Sequence, residues 1–491
     1  MSTPAPARRY APQVTDALSL RGVWLGTLEA GAVRLRIQLR LDLTKSPPEG
    51  ALDSLDQRAL GIVCSEILAA GRSLSFKVPA VQGSFVGAIA DEDANLIEGV
   101  WSQGPKALPL ALARQANAIA PEPRAVDPAL PPVALDHLAA VLEADLAKAF
   151  EGGDLAPSTG AGLAVGAHRK GARVLAAYGA VKVDSVFEIG SIAKPFTGLL
   201  LAQLVAQGKV RLDEPVRDLL PVGTVTTPPS GAEMTLLDLS THRSGLPRLP
   251  ENLKPADMSD PYADYDHEAL YAYVAARGLT RPEDAPFLYS NLGFGLLGAA
   301  LAHRAGTTYE ELLRRQITGP LAMAETTIAL PPHLAARFAQ GHDAAHRPAK
   351  PWRLNALAGA GGIRSTAADM VTFLEAQLHP ERLSAAARET PEGETLAGAI
   401  AASHAIRGAV GEGKEICLGW VFDRDSGTFS HNGGTGGFSS FALFDPVEDY
   451  AVVVLANTSV RESDAFVERV GRHVAQRLLG EPAESLGPPA R

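Results

Sequence analysis

Two cysteines in 491 residues, Cys64 and Cys417, are too few for a disulfide framework or for a zinc site built on thiolates. They fall in different predicted domains, so no disulfide between them is expected. No run of about 20 apolar residues occurs, and no membrane span is expected. Among 45 basic residues no lysine or arginine block stands out, and the formal charge is −10. Nucleic acid is therefore not an expected partner. The start, Met1 to Gln13, is rich in Ala and Pro and lacks the apolar core of a signal peptide. As written, this start points to the cytoplasm. A missing leader would point to the periplasm or the outside.

Hydrophobic residues make up 46% and charged residues 20%, the balance of a globular chain. The length leaves room for about two or three domains. Gly 47 and Pro 36 predict many turns. Residues 1–18 read as disordered. From Gly22 the pattern is strand-like: Val33, Leu35, Ile37, Leu39, Leu41 and Leu43 alternate with polar residues. Shorter alternations follow at Leu74–Val78, Phe85–Ile89, Ile97–Trp101 and Leu108–Leu112, and Gly-Val-Trp occurs at 22–24 and again at 99–101. Residues 19–115 are predicted to form a small all-β barrel or sandwich. It resembles the lipocalin-like β-domains found ahead of some bacterial hydrolases, and a spacer or interaction role is weighed above a ligand pocket.

Residues 116–134 read as a proline-rich linker. Residues 135–480 form the second predicted domain, and 481–491 a tail. That domain begins with a helix on the stripe Leu135, Leu138, Leu142 and Leu146, followed by strands at Leu163–Ala167 and Arg173–Tyr178. A mostly helical excursion follows to about residue 410. It includes helices at 292–305 and 308–317, and a flexible turn at Ala358–Gly362 before a helix at Ala367–Gln377. Strands return at Leu418–Phe422, Gly437–Phe444 and Tyr450–Ala456, and a helix on Phe466, Val470, Val474 and Leu478 closes the domain. The expected fold class is α/β (α+β): one antiparallel sheet flanked by helices, plus a helical lobe with the cleft between them.

The stretch Phe187–Gly198 anchors the functional reading. Ser191 stands three residues before Lys194, and the apolar run Leu199, Leu200, Leu201, Leu204 follows. Pro195 is tolerated only in the first turn of a helix, so a helix starts at about Ser191 and runs to about Gly208. Its free N–H groups favour developing negative charge, and Ser191 and Lys194 share a face. Ser-x-x-Lys arises by chance about once in a chain this long, and further signals are required. Tyr289-Ser290-Asn291 lies in a loop before an apolar helix. His431-Asn432-Gly433-Gly434 precedes a strand. Thr241–Pro247 is loop-rich.

In this order and spacing, the chain resembles the class C β-lactamase and penicillin-binding-protein-like serine hydrolases. Ser191-x-x-Lys194, Tyr289-x-Asn291 and His431-x-Gly433 match that family's three motifs. Gly208–Val216, Thr241–Pro247, Gly319–Met323 and Leu455–Asn457 are similar to its intervening runs, and the resemblance covers about 135–480. It implies a covalent acyl-enzyme on Ser191, with Tyr289 as general base and acid and Lys194 as its proton partner, roles that are shared or exchanged. It also implies that Asn291 holds Lys194 and substrate, and that the N–H groups of Ser191 and Gly434 form the oxyanion hole. No cofactor or metal is implied, and the partner is a small-molecule or peptide substrate.

One departure stands out. The family usually carries Lys-Thr-Gly where this chain has His431-Asn432-Gly433. A histidine is mostly neutral at pH 7.5, so a weaker grip on anionic substrates is expected, worsening as pH rises. That favours an esterase or D-peptidase over a true β-lactamase, and His-x-Gly is similar to the D-aminopeptidase and carboxylesterase branches. A catalytically silent peptide binder is the alternative of another class. Gly437-Phe438-Ser439-Ser440-Phe441 ends in phenylalanine and fails as a nucleophile elbow. His342 and His346 lack the glutamate of a zincin and read as a solvated loop or helix face.

Overall fold

The computed structural model describes residues 17–487, apart from short stretches at 31–32, 57–58, 79–80, 82, 104–105, 120–129, 153–154, 156, 227–230, 412 and 460–464. The described residues form two compact units that divide between residues 121 and 122. The predicted disorder of residues 1–16 and most of the proline-rich linker lie outside the described residues.

In the first unit nine antiparallel strands form one sheet among the described residues. The alternating run becomes Val33–Asp42, with Ile37, Leu39 and Leu41 buried. Each strand pairs with the next except the fourth and fifth, Ala59–Val63 and Ser65–Ala70. The first strand, Gly22–Ala30, also pairs with the last, Lys106–Gln115. The sheet thus curls into a nearly closed barrel, and the Cys64 N–H extends the pairing of the third and fourth strands by donating to the Gly50 carbonyl at 2.9 Å. Trp24 and Trp101, from the two Gly-Val-Trp repeats, are both buried. The strands at Glu49–Ser54, Ala59–Val63 and Ser65–Ala70 were not expected. Register shifts interrupt them at Leu52/Ser54 and Ser65/Leu68, and a bulge breaks the period of two that sequence reading relies on. The turn Ala17–Leu20 is ordered: its Leu20 is buried and accepts from Trp24 Nε1 at 2.9 Å.

Among the described residues the second unit holds an eight-stranded antiparallel sheet. Its order from one edge is Ala172–Gly179, Gly162–Arg169, Tyr450–Ala456, Ser439–Asp445, Thr428–Gly434, Val421–Asp423, Lys414–Ile416 and Gly408–Gly411. An early and a late strand of this unit, Gly162–Arg169 and Tyr450–Ala456, therefore lie side by side, and every residue of Tyr450–Ala456 is buried. Val452 and Val454 pack with Leu138, Leu142, Val470, Val474 and Leu478 on one face. Val453 and Leu455 join the larger core of the helix Ala193–Ala206 and the helical lobe. Burial on both faces explains why this strand reads as an unbroken apolar run.

Three expectations need correction. The segment Ala358–Gly361 is not a flexible turn but a buried helical turn, packed against the helix Ala193–Ala206. His431–Gly434 does precede a strand, Ser439–Asp445, but it is also itself the end of one, Thr428–Gly434. Glycine and asparagine hid it, because neither favours strands. Residues 481–487 are not a loose tail: Leu486 is buried, and Glu484 N–H donates to Gln476 Oε1 at 2.7 Å.

Candidate active site

Local pairing aims the nucleophile turn. Phe187–Glu188 pairs with Arg364–Ser365, and Ile189 N–H donates to Ile363 O at 3.1 Å. One tight turn at Gly190–Ile192 then feeds the helix Ala193–Ala206. Pro195 is its third residue, where no N–H partner is needed. Gly190 has φ +51°, and a Cβ there would lie 2.5 Å from the Gly434 nitrogen. A Cβ on Gly433 would lie 2.1 Å from Ile189 O. Only glycine at both places lets the nucleophile turn and the third-motif strand touch. Ser440 Oγ clamps the same junction by donating to Ile189 O at 2.8 Å.

Lys194 is fully buried, and its Nζ makes three polar contacts: Ser191 Oγ at 3.0 Å, Asn291 Oδ1 at 2.8 Å and Ala360 O at 2.8 Å. Burial, helped by the Arg248 cation, holds its pKa well below that of a free lysine. A neutral amine donates two hydrogens and accepts one. Asn291 Oδ1 and Ala360 O are acceptors only, so the lone pair falls to the Ser191 hydroxyl. This geometry suits proton transfer from serine to lysine.

The second motif is set by a cap. Ser290 Oγ accepts from Gly293 N–H at 2.9 Å and donates to Pro247 O at 2.6 Å, which starts the helix Asn291–Arg304. Asn291 is thereby the first helical residue and Tyr289 the residue before the cap. The Tyr289 hydroxyl is hydrogen-bonded to Ser191, and burial pushes its pKa up to about 12. Lys194 Nζ lies 4.7 Å from the centroid of the Tyr289 ring.

His431 is buried within this group, its ring centroid 6.5 Å from that of Tyr289, and Nδ1 donates to Asn432 O at 2.6 Å. Burial foremost, then Lys194, pushes its pKa down to about 3. The expected loss of grip on anions with rising pH is therefore corrected: this imidazole carries no charge anywhere between pH 5 and 8.

All seven sequence-predicted residues, Ser191, Lys194, Tyr289, Asn291, His431, Gly433 and Gly434, converge on this spot. Two further residues were missed. His242 stacks on Tyr289, and Arg248 places its guanidinium 5.1 Å from the centroid of the same ring. Arg248 is exposed, while its carbonyl accepts from Asn291 and Leu292 N–H at 3.0 and 3.2 Å. His242 lay inside the Thr241–Pro247 run, and its φ of +58° was the only local oddity. His342 is not solvated: it is buried, and its ring meets the Asn457 carbonyl at 3.2 Å.

An antiparallel sheet flanked by helices, carrying a serine–lysine pair at a helix start against a tyrosine and a glycine-rich edge, defines the β-lactamase-like serine hydrolases. The Beta-lactamase family model matches residues 154–476, and the chain belongs to that family, a family of hydrolases. The D-alanyl-D-alanine-carboxypeptidase/endopeptidase AmpH of Escherichia coli K12 is 30% identical over 286 residues, 57% of this chain and 72% of that protein. A beta-lactamase of Pseudomonas fluorescens is 28% identical over 342 residues, 60% of this chain and 88% of that one. The solved class C beta lactamase from Rhodobacter sphaeroides aligns with a TM-score of 0.54 at 27% identity, covering 70% of this chain and 98% of that chain. The matched family span leaves out the barrel.

Proposed function

We propose that this chain hydrolyses esters or peptides of D-amino acids through an acyl-enzyme on Ser191. The observation that carries this reading is the contact of Ser191 Oγ, at 3.0 Å, with a fully buried Lys194 whose lone pair has no other donor to accept from. Ser191 Oγ attacks the substrate carbonyl carbon while its proton passes to Lys194 Nζ. The N–H groups of Ser191 and Gly434 hold the oxyanion. Tyr289, a neutral phenol at working pH, then relays the proton from Lys194 to the leaving amine or alkoxide. Water attacks the acyl group in a second cycle of the same steps. This division makes Lys194 the base and Tyr289 the acid, where sequence reasoning put the base first on Tyr289.

The neutral His431 favours a substrate that brings no carboxylate to the third motif. AmpH, named as a carboxypeptidase and endopeptidase for D-alanyl-D-alanine, supports a peptide acyl donor. A β-lactamase reading is the second, favoured by one observation: the exposed Arg248 guanidinium beside Tyr289 is a cation that can meet a β-lactam carboxylate.

Intact mass tests both. The protein is mixed with a p-nitrophenyl ester, a D-alanyl-D-alanine peptide and a penicillin, with Ser191→Ala as control. Ester or peptide turnover through Ser191, with slow release of a penicilloyl adduct, supports the proposal. Fast penicillin turnover moves β-lactamase ahead. No adduct from any of the three would leave a silent binder.

A further inference from the structure

The third-motif strand ends at Gly434, opposite Ser439, which in turn pairs with Ala456. At the other end of the same strands, six residues away or roughly 20 Å, three ligand-type side chains meet. His168 lies on the strand Gly162–Arg169, His379 follows the helix Ala367–Leu378, and Asp449 sits in the turn before Tyr450. Their ligand atoms all lie within 4.8 Å of one another.

We propose that His168, His379 and Asp449 bind one divalent transition-metal ion of the zinc class. Hydrogen bonding fixes the state of His168. Its Nδ1 faces the Glu375 carboxylate at 2.9 Å, and the Gly171 N–H donates to its Nε2 at 3.3 Å. Nδ1 therefore carries the hydrogen and Nε2 the lone pair. That lone pair faces Asp449 Oδ1 at 3.6 Å, acceptor against acceptor. His379 has the complementary problem. Its Nε2 lies 2.6 Å from the same Asp449 oxygen and its Nδ1 lies 3.3 Å from Glu381 Oε1. A neutral imidazole has one hydrogen for these two carboxylates.

A cation between the two Nε2 atoms and Asp449 would take the His168 lone pair in place of the long Gly171 contact and give all three groups one shared charge to face. Each imidazole then keeps its far nitrogen on a carboxylate, Glu375 or Glu381, the arrangement that orients metal-bound histidines. Tetrahedral zinc separates its ligand atoms by roughly 3.3 Å, and the observed 2.6 and 3.6 Å fall on either side. Two imidazoles and a carboxylate suit zinc and its neighbours better than calcium or magnesium. The carboxylates are only partly neutralised by the cations around them: Arg173 reaches Glu375 at 3.0 Å and Arg382 reaches Glu381 at 3.5 Å. A cavity of about 460 Å³ is lined by His168, His379 and Glu375. The ion would tie the end of one helix to two hairpin turns, far from Ser191.

The full chain, stripped with chelator and titrated with zinc sulfate by calorimetry, should bind one equivalent at micromolar zinc and melt at a higher temperature when loaded. Cobalt in its place should give the visible absorption of a four-coordinate site. His379→Ala and Asp449→Asn should abolish binding. Glu381→Gln, at an exposed side chain that meets the far nitrogen of His379 and the exposed Arg382, should leave the fold intact and weaken binding about 10–100-fold. Ester turnover through Ser191 should be the same with and without zinc. No stoichiometric binding up to roughly 100 µM zinc, a very weak site by any measure, would overturn the proposal. Undiminished binding in His379→Ala and Glu381→Gln would overturn it equally.

Discussion

The imidazole of His242 lies against the phenol ring of Tyr289, centroids 4.5 Å apart and planes 30° from parallel. Its Nδ1 accepts the Ser290 N–H at 2.9 Å, so one buried ring both supports the tyrosine and ties down the cap beside it. Burial foremost, then the Arg248 guanidinium and the cationic forms of Lys194 and His431, holds its pKa well below that of a free histidine. Replacing it by alanine removes the stack and orphans a buried N–H. His242→Ala should lose about 1–3 kcal/mol of stability and at least tenfold in ester turnover, measured by urea unfolding and stopped-flow acylation. Unchanged turnover in a folded variant would show that Tyr289 needs no such support.

Lys194 sets the pH profile of acylation. A base must be unprotonated, so kcat/KM rises with pH through its pKa and then levels. Because that pKa is held well below the free value, the plateau should arrive well before the pH at which free lysine ionises. Lys194→Met keeps the volume and removes the amine, and acylation should fall about 10²–10⁴-fold. A rate still climbing at pH 10 would mean that the amine is protonated at neutrality.

Charge at the third motif sets substrate preference. His431→Lys restores a cation there and should raise kcat/KM for a cephalosporin over the parent protein. It should leave a neutral ester within about threefold, well under 1 kcal/mol. In the parent protein, KM for a carboxylate-bearing substrate should show no histidine-like step between pH 5 and 8, since His431 titrates near 3. A step near 6.5 would contradict the burial argument.

Buried neutral histidines also predict acid lability. His404 and His431 are both pushed down to about 3, in each case chiefly by burial. Unfolded, each takes up a proton near pH 6.5. The unfolded state thus binds more protons between about pH 6.5 and 3, and stability falls as pH drops through that window. Each histidine contributes up to about 1.4 kcal/mol per pH unit. His404→Leu should flatten the slope of unfolding free energy against pH by about one proton between pH 6 and 4. An identical slope in urea titrations would sink this account.

Contact between Gly190 and Gly434 predicts the most sensitive single methyl. In Gly190→Ala the new Cβ meets backbone nitrogen at 2.5 Å, at a φ of +51°. The third-motif strand must retreat from the nucleophile turn, and an oxyanion donor moves with it. Turnover should fall at least about 100-fold, with circular dichroism and the barrel unaffected. Near-normal turnover would remove Gly434 from the oxyanion hole.

The sequence by itself determined the parts written in contiguous residues. Ser191 and Lys194 share a helix start because Pro195 can sit only in a first turn. The strands at Gly162–Arg169 and Tyr450–Ala456 were legible as apolar runs, and the closing helix Phe466–Leu479 as an apolar stripe. Tertiary structure alone decided what depends on residues distant along the chain. Bulges concealed three barrel strands. The Ala358–Gly361 turn became a rigid wall because Ala360 O receives Lys194 Nζ, a contact across 166 residues that no local pattern encodes. Desolvation did the same for protonation: His431 and Lys194 are ordinary side chains until the fold excludes water from both, and only then do both pKa values fall.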